Sequence, residues 1–115
     1  MATNYNINCI QGDYLQLTLN VKNASGDAIN LNGYEIRGDV KSAYGATGIF
    51  LDLNPIITNA TSGIVSINVS SAETALLPVN EYVYDIERYP SGIPTGNSIK
   101  LLKGKFIIYP EVTTF

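Results

Sequence analysis

The chemically capable residues of this 115-residue sequence are few in kind. It has no histidine, no tryptophan and a single cysteine, Cys9. Those absences exclude an intrachain disulfide, a Cys/His zinc site, and any Ser-His-Asp or Cys-His nucleophile. Acid–base chemistry of the glycosidase kind needs two carboxylates across a cleft with their pKa values pushed apart. Asp85 and Glu87 come nearest, because they share a strand face, but Arg88 beside them points to a solvated outer sheet. A calcium site on Asp13, Asp27 or Asp52 has oxygen ligands, yet no compact Asp-rich loop gathers them. Gly45-Ala46-Thr47-Gly48 lacks the lysine and the following helix of a phosphate loop. No catalytic residue and no cofactor are expected.

The remaining groups suit contact better than reaction. Lys100, Lys103 and Lys105 form the only basic cluster. Lysines on an edge strand commonly block sheet-to-sheet aggregation; their functional alternative is an electrostatic contact with an acidic partner chain. Of eight tyrosines, Tyr34, Tyr82 and Tyr84 read as core, whereas Tyr5, Tyr44, Tyr89 and Tyr109 fall near loops or ends, where aromatic groups favour interfaces. Cys9 reads as a small apolar packing residue. The interface candidates are therefore Tyr44, Tyr89, Tyr109, Lys103, Lys105 and the terminal Phe115.

Those side chains need a scaffold, and the dominant period along the chain is two. Leu15, Leu17, Leu19 and Val21 alternate with mostly polar residues, the pattern of a half-buried strand. From Gly33 to Lys41, Tyr34, Ile36, Gly38 and Val40 alternate with Glu35, Arg37, Asp39 and Lys41. Val65, Ile67 and Val69 repeat the pattern, as do Tyr82, Tyr84 and Ile86. Weaker strands are read at Asn6–Ile10, Ala28–Leu31 and Ile49–Leu53. Ile99–Tyr109 reads as one long strand, or as two joined by a bulge with Gly104 as the break. Turn residues separate these runs at Gln11-Gly12-Asp13, 23–27, 59–63 and Pro90-Ser91-Gly92. Short strands at such intervals indicate an antiparallel sandwich or barrel.

One segment departs from this period. Ser70 and Glu73 stand at capping-box spacing, helix formers follow, and Pro78 stops the run. One or two helical turns are expected, with Leu76 and Leu77 plugging an end of the sandwich. Tyr82 or Tyr84, just beyond, is placed to bond back across the corner through its hydroxyl, as buried phenols in immunoglobulin-like folds do. Residues 1–5 and 110–115 read as tails around a single domain.

Length fits one domain with a real core. A net charge of −3 and a pI near 4.7 argue against nucleic-acid binding. The first residues have no basic n-region and no long apolar stretch, so neither a signal peptide nor a bilayer span is expected. A lone thiol suits synthesis in a reducing cytoplasm.

The order of these pieces resembles the small immunoglobulin-like domain of tailed-bacteriophage virion proteins, including the amino-terminal domain of baseplate upper proteins. The matching stretches are 12–19, 24–34, 70–78, 82–87 and 101–106, ending in Pro110-Glu111-Val112-Thr113. The resemblance covers nearly the whole chain from about Asn6. It implies a non-enzymatic virion part made in the host cytoplasm, a docking or adaptor module of baseplate, tail or fibre that binds other virion subunits. Capsid decoration is the nearest alternative. Two rivals use the same sandwich differently: a carbohydrate or host-surface binder gripping through Tyr44, Tyr89 and adjacent Asn residues, and a calcium-dependent adhesin fragment.

Overall fold

The structure, a computed structural model, describes residues 3–23, 25–43, 48 and 50–112. Two sheets face each other in an all-β sandwich. One holds β1 (Thr3–Asn4), β2 (Ile7–Ile10), β4 (Tyr34–Lys41), β5 (Leu51–Asp52), β8 (Asn80–Pro90) and β9 (Ile99–Tyr109). Its order is β1-β9-β8-β4-β5, with β2 also on β9. The other runs β3-β7-β6, from β3 (Leu15–Asn20), β7 (Ile64–Val69) and β6 (Ile56–Asn59). This is the immunoglobulin arrangement: β3-β7-β6 match strands B, E and D, and β9-β8-β4-β5 match G, F, C and C′. Thr3–Asn4, expected as tail, is a strand, and both β1 and β2 run parallel to β9 rather than antiparallel.

Alternation places most of the core as expected, but Tyr34, expected as core, is only partly buried under Arg88. Val65 and Ile67 are wholly buried, and Val40, Tyr82, Tyr84 and Ile86 line the facing sheet. The helix α1 (Ser71–Ala75) carries half of its capping box: the Glu73 amide donates to the Ser70 hydroxyl at 3.2 Å, while the Glu73 carboxylate accepts from that hydroxyl at 3.1 Å and not from the Ser70 amide. Only half of the leucine plug forms. Leu77 is buried but Leu76 is 83% exposed, because a single helical turn can aim only one of two successive side chains inward.

Both corner tyrosines find backbone partners. The Tyr82 hydroxyl donates to the Pro78 carbonyl at 2.9 Å, four residues upstream, and the Tyr84 hydroxyl donates to the Tyr5 carbonyl. Burial raises both phenol pKa values, so these groups stay protonated donors. Tyr82→Phe is expected to lower unfolding free energy by about 1 kcal/mol, the net worth of one such bond plus an unpaired carbonyl, in a urea melt.

Three strand readings need correction. Ala28–Leu31 makes only an isolated bridge from Ala28 to Lys22, with single bonds from Ile29 to Val21 and from Leu31 to Ala60. The edge strand β6 was not anticipated, because Ile56-Ile57-Thr58-Asn59 has no alternation. Of Ile49–Leu53, only Leu51–Asp52 forms a strand; Ile49 lies outside the described residues.

Gly104 does not break β9, which runs unbroken from Ile99 to Tyr109. The bulge lies earlier: Ile86 pairs with Leu102 and Glu87 with Lys100, leaving Leu101 as the extra residue. Leu101 and Leu102 therefore both point inward and are buried at 6% and 9% exposure. Leu101 fills a small cluster with Val21, Leu31 and Val65, and Leu102 joins the main core. Gly104 has a different task. A Cβ there would stand 2.3 Å from the Tyr5 carbonyl oxygen, so its bare backbone lets the link between β1 and β2 dip against β9.

Candidate functional site

The outer face of the larger sheet gathers most of the charge. Cross-strand register arranges it in rows: Arg37 opposite Glu87, then Asp52, Asp39, Asp85 and Lys103 in line, then Lys41, Val83 and Lys105. Glu87 is the centre of the first row. It is only 9% exposed, and it accepts from Arg37 at 3.0 Å and from Lys100, which also reaches Asp85 at 3.4 Å. The sequence suggested a solvated carboxylate here; instead the bulge brings Lys100 alongside and the long cation stems cover it. Arg88 is not beside it, because it projects from the opposite face and stacks on Tyr34 at 4.1 Å.

Burial by itself would raise the Glu87 pKa, but hydrogen bonds from Lys100, Arg37 and Ser98 outweigh it and hold the carboxyl at about 2. Burial likewise opposes the Lys100 charge, yet bonding to Glu87 raises its pKa overall. Glu87 therefore stays a carboxylate at any ordinary pH and has no proton to donate. Because its folded pKa lies below the usual 4.5, its stabilising contribution is complete above that value and is lost as pH falls toward about 2. Glu87→Gln is expected to flatten the acid limb of the stability–pH curve over that window, read by chemical denaturation at fixed ionic strength.

A groove of about 200 Å³ runs beside this network, lined by Asp39, Lys41, Asp85, Glu87 and Lys100. Asp39 is half-buried in it, and its pKa is raised, first by burial and next by the charge of Asp52, with Lys41 opposing and Asp85 adding. Sequence reasoning missed this row, since Asp39, Asp52 and Asp85 are far apart in the chain and only the register aligns them. Asp13 and Asp27 lie elsewhere, and among the described residues no acidic group is arranged to hold a metal.

The interface candidates scatter. Tyr89 lies on the charged face with Arg37 over its ring at 4.6 Å, so one ring face is already covered. Lys105 is exposed and meets Glu81 at 3.2 Å; Lys103 is exposed opposite Asp85. Neither guards a sheet edge, because β1 and β2 cover β9. Tyr109 stands apart from them, beyond the end of the row. Tyr44 and Phe115 lie outside the described residues.

Tyr109 has company that the sequence did not single out. At the end of the sandwich where β9 leaves, Ile10 and Tyr109 are register partners, and both are nearly half exposed. With Tyr14, Cys9 and Leu15 they line a second groove of about 340 Å³. The loop at 11–13 ties this end to the helical corner: the Gln11 amide donates to the Leu77 carbonyl at 2.8 Å and the Thr74 hydroxyl to the Asp13 carbonyl at 2.7 Å. Leu76 and Val79, both exposed, belong to the same corner. Cys9 is buried at the groove's floor, where burial and Asp13 raise its pKa and keep it a thiol.

No family model matches the chain, and no curated protein matches it. Among solved structures it is similar to a family 123 glycoside hydrolase from Clostridium perfringens, studied for glycolipid glycan hydrolysis. The TM-score is 0.38 at 16% identity, over 95% of this chain and 23% of that one. The chain thus spans under a quarter of that enzyme, and a likeness this distant carries no activity across.

Proposed function

We propose that this protein is a bacteriophage virion structural protein, a non-enzymatic docking and adaptor module of baseplate, tail or fibre that binds other virion subunits. The observation that carries the reading is the set of exposed apolar side chains of Ile10, Tyr14 and Tyr109 around one groove, with Leu76 and Val79 exposed on the helical corner bonded to the loop at 11–13. Aromatic and aliphatic groups on rigid supports lose little entropy on association and exclude water well. The order of sequence pieces shared with virion immunoglobulin-like domains supports the same conclusion. So does the charged face, where Glu87 is locked as a carboxylate and Tyr89 offers a glycan no fully open ring. Repetition in a symmetric particle multiplies modest contacts through effective concentration.

Quantitative proteomics of purified particles tests this. The protein should appear at a fixed copy number relative to the tail subunits, and Leu76→Asp with Tyr109→Ala should reduce its incorporation while leaving the isolated fold intact. Absence from washed particles, or turnover of a glycan by the pure protein, would overturn the reading.

A further inference from the structure

The row Asp52–Asp39–Asp85 places three carboxylates side by side on adjacent strands. Like charges directly opposite on neighbouring strands oppose pairing. Of the three, only Asp85 has a cation partner among the described residues. Arg37 is bonded to Glu87, and Lys100 divides itself between Glu87 and Asp85. Lys41, on the same strand two residues along from Asp39, and Lys103, opposite Asp85, complete the charges that face the row. Asp39 and Asp52 make no ion pair among the described residues, and the Asp52 carboxylate is used by the Asn54 amide at 2.8 Å.

The repulsion falls at one edge of the sheet. β5 has two residues, and at that edge it is held by few bonds, among them the Phe50 amide to the Val40 carbonyl at 2.7 Å and the Leu53 amide to the Gly38 carbonyl at 3.0 Å. Among the described residues no strand of the sheet lies beyond it.

We propose that this carboxylate row makes the β4–β5 edge an acid-tightened clasp, loosened by like charge at neutral pH and closed when Asp39 takes a proton. A protonated Asp39 stops repelling Asp52 and Asp85 and gains a donor for a neighbouring carboxylate oxygen. The raised pKa of Asp39 sets the direction. A carboxyl that binds its proton more tightly folded than unfolded gains stability as pH falls, over a window starting at its raised value and ending near the usual 3.8. Glu87, at about 2, keeps its charge throughout that window. The inference stands independently of the virion reading.

Amide hydrogen exchange, corrected for the intrinsic rate, tests it. From pH 7 to pH 3.8, the ordinary value of this carboxyl, protection at Phe50 and Leu53 should rise about three- to fivefold relative to amides of the β8–β9 ladder, the range that one or two relieved like-charge pairs produce. Asp39→Asn should show the high protection already at pH 7 and lose the pH dependence, and Asp52→Asn should do the same from the facing strand. A ratio that stays constant with pH in the unaltered protein, or a rise that persists in both variants, would overturn the clasp.

Discussion

Replacing Gly104 by alanine is expected to lower the unfolding free energy by about 3–4 kcal/mol, a large share of the roughly 5–15 kcal/mol that holds such a domain together. The new methyl would meet the Tyr5 carbonyl oxygen at 2.3 Å, its carbon at 2.8 Å and the Asn6 side-chain oxygen at 3.0 Å. Those first two atoms are backbone, so no rotamer change relieves the clash. The backbone itself is pinned on both sides: the Tyr5 amide donates to Lys103 at 2.9 Å and the Lys105 amide donates to the Asn6 side chain at 3.0 Å. Moving Tyr5 outward would also take away the acceptor of the Tyr84 hydroxyl, leaving a buried phenol unpaired. A thermal melt should show a midpoint lower by about 10 °C or more. The double-mutant cycle with Tyr84→Phe gives a sharper result. In the Gly104→Ala background that bond is already broken, so Tyr84→Phe should cost clearly less than it does alone. Strict additivity would mean that Gly104 and Tyr84 do not act through Tyr5.

The same triad shows where the sequence is eloquent and where it is silent. Alternation alone placed Tyr84 inward and Val83 and Asp85 outward, because a strand offers only two faces and water selects between them. Spacing also revealed the Ser70–Glu73 cap and narrowed the corner bond to Tyr82 or Tyr84, of which Tyr82 makes it, since in each case the bonded groups are three or four residues apart. Gly104 was visible as an oddity in a strand, but a bulge and a close crossing leave the same trace in one sequence. Only the register of a segment about a hundred residues earlier decides between them. The Glu87 network and the carboxylate row fall under that rule as well. Arg37, Glu87 and Lys100 meet because three strands are aligned and β9 carries one extra residue at Leu101. Register is a property of the closed sheets, so side chains that gain meaning from it could not be read beforehand. The apolar end was half legible: Tyr109 was singled out as an aromatic near a terminus, but Ile10 looked ordinary until register paired it with Tyr109.

Phe106→Ala should remove about 3–5 kcal/mol, the other large loss expected here. Phe106 is wholly buried and is the largest fully buried side chain among the described residues. Its register partners are Ile7 on β2 and Tyr82 on β8, and Tyr82 in turn stacks on Phe50 with ring centroids 4.1 Å apart. A single inward row therefore runs from the parallel amino-terminal strand through β9 and β8 to the segment before β5. Leu15, Ile67 and Val69 of the smaller sheet belong to the same core. Truncation to alanine would lose the transfer free energy of the ring and leave a void that pinned neighbours cannot fill, since Ile7 is held by β9 and Tyr82 by its bond to Pro78. Phe106→Leu, which keeps most of the volume, should cost no more than about 1.5 kcal/mol. The contrast between the two substitutions, measured by urea denaturation with the slope held common, separates packing from mere hydrophobicity. A Phe106→Ala loss no greater than that of Phe106→Leu would mean that the two sheets do not close over this ring, and the register that aligns every outer-face charge would lose its anchor.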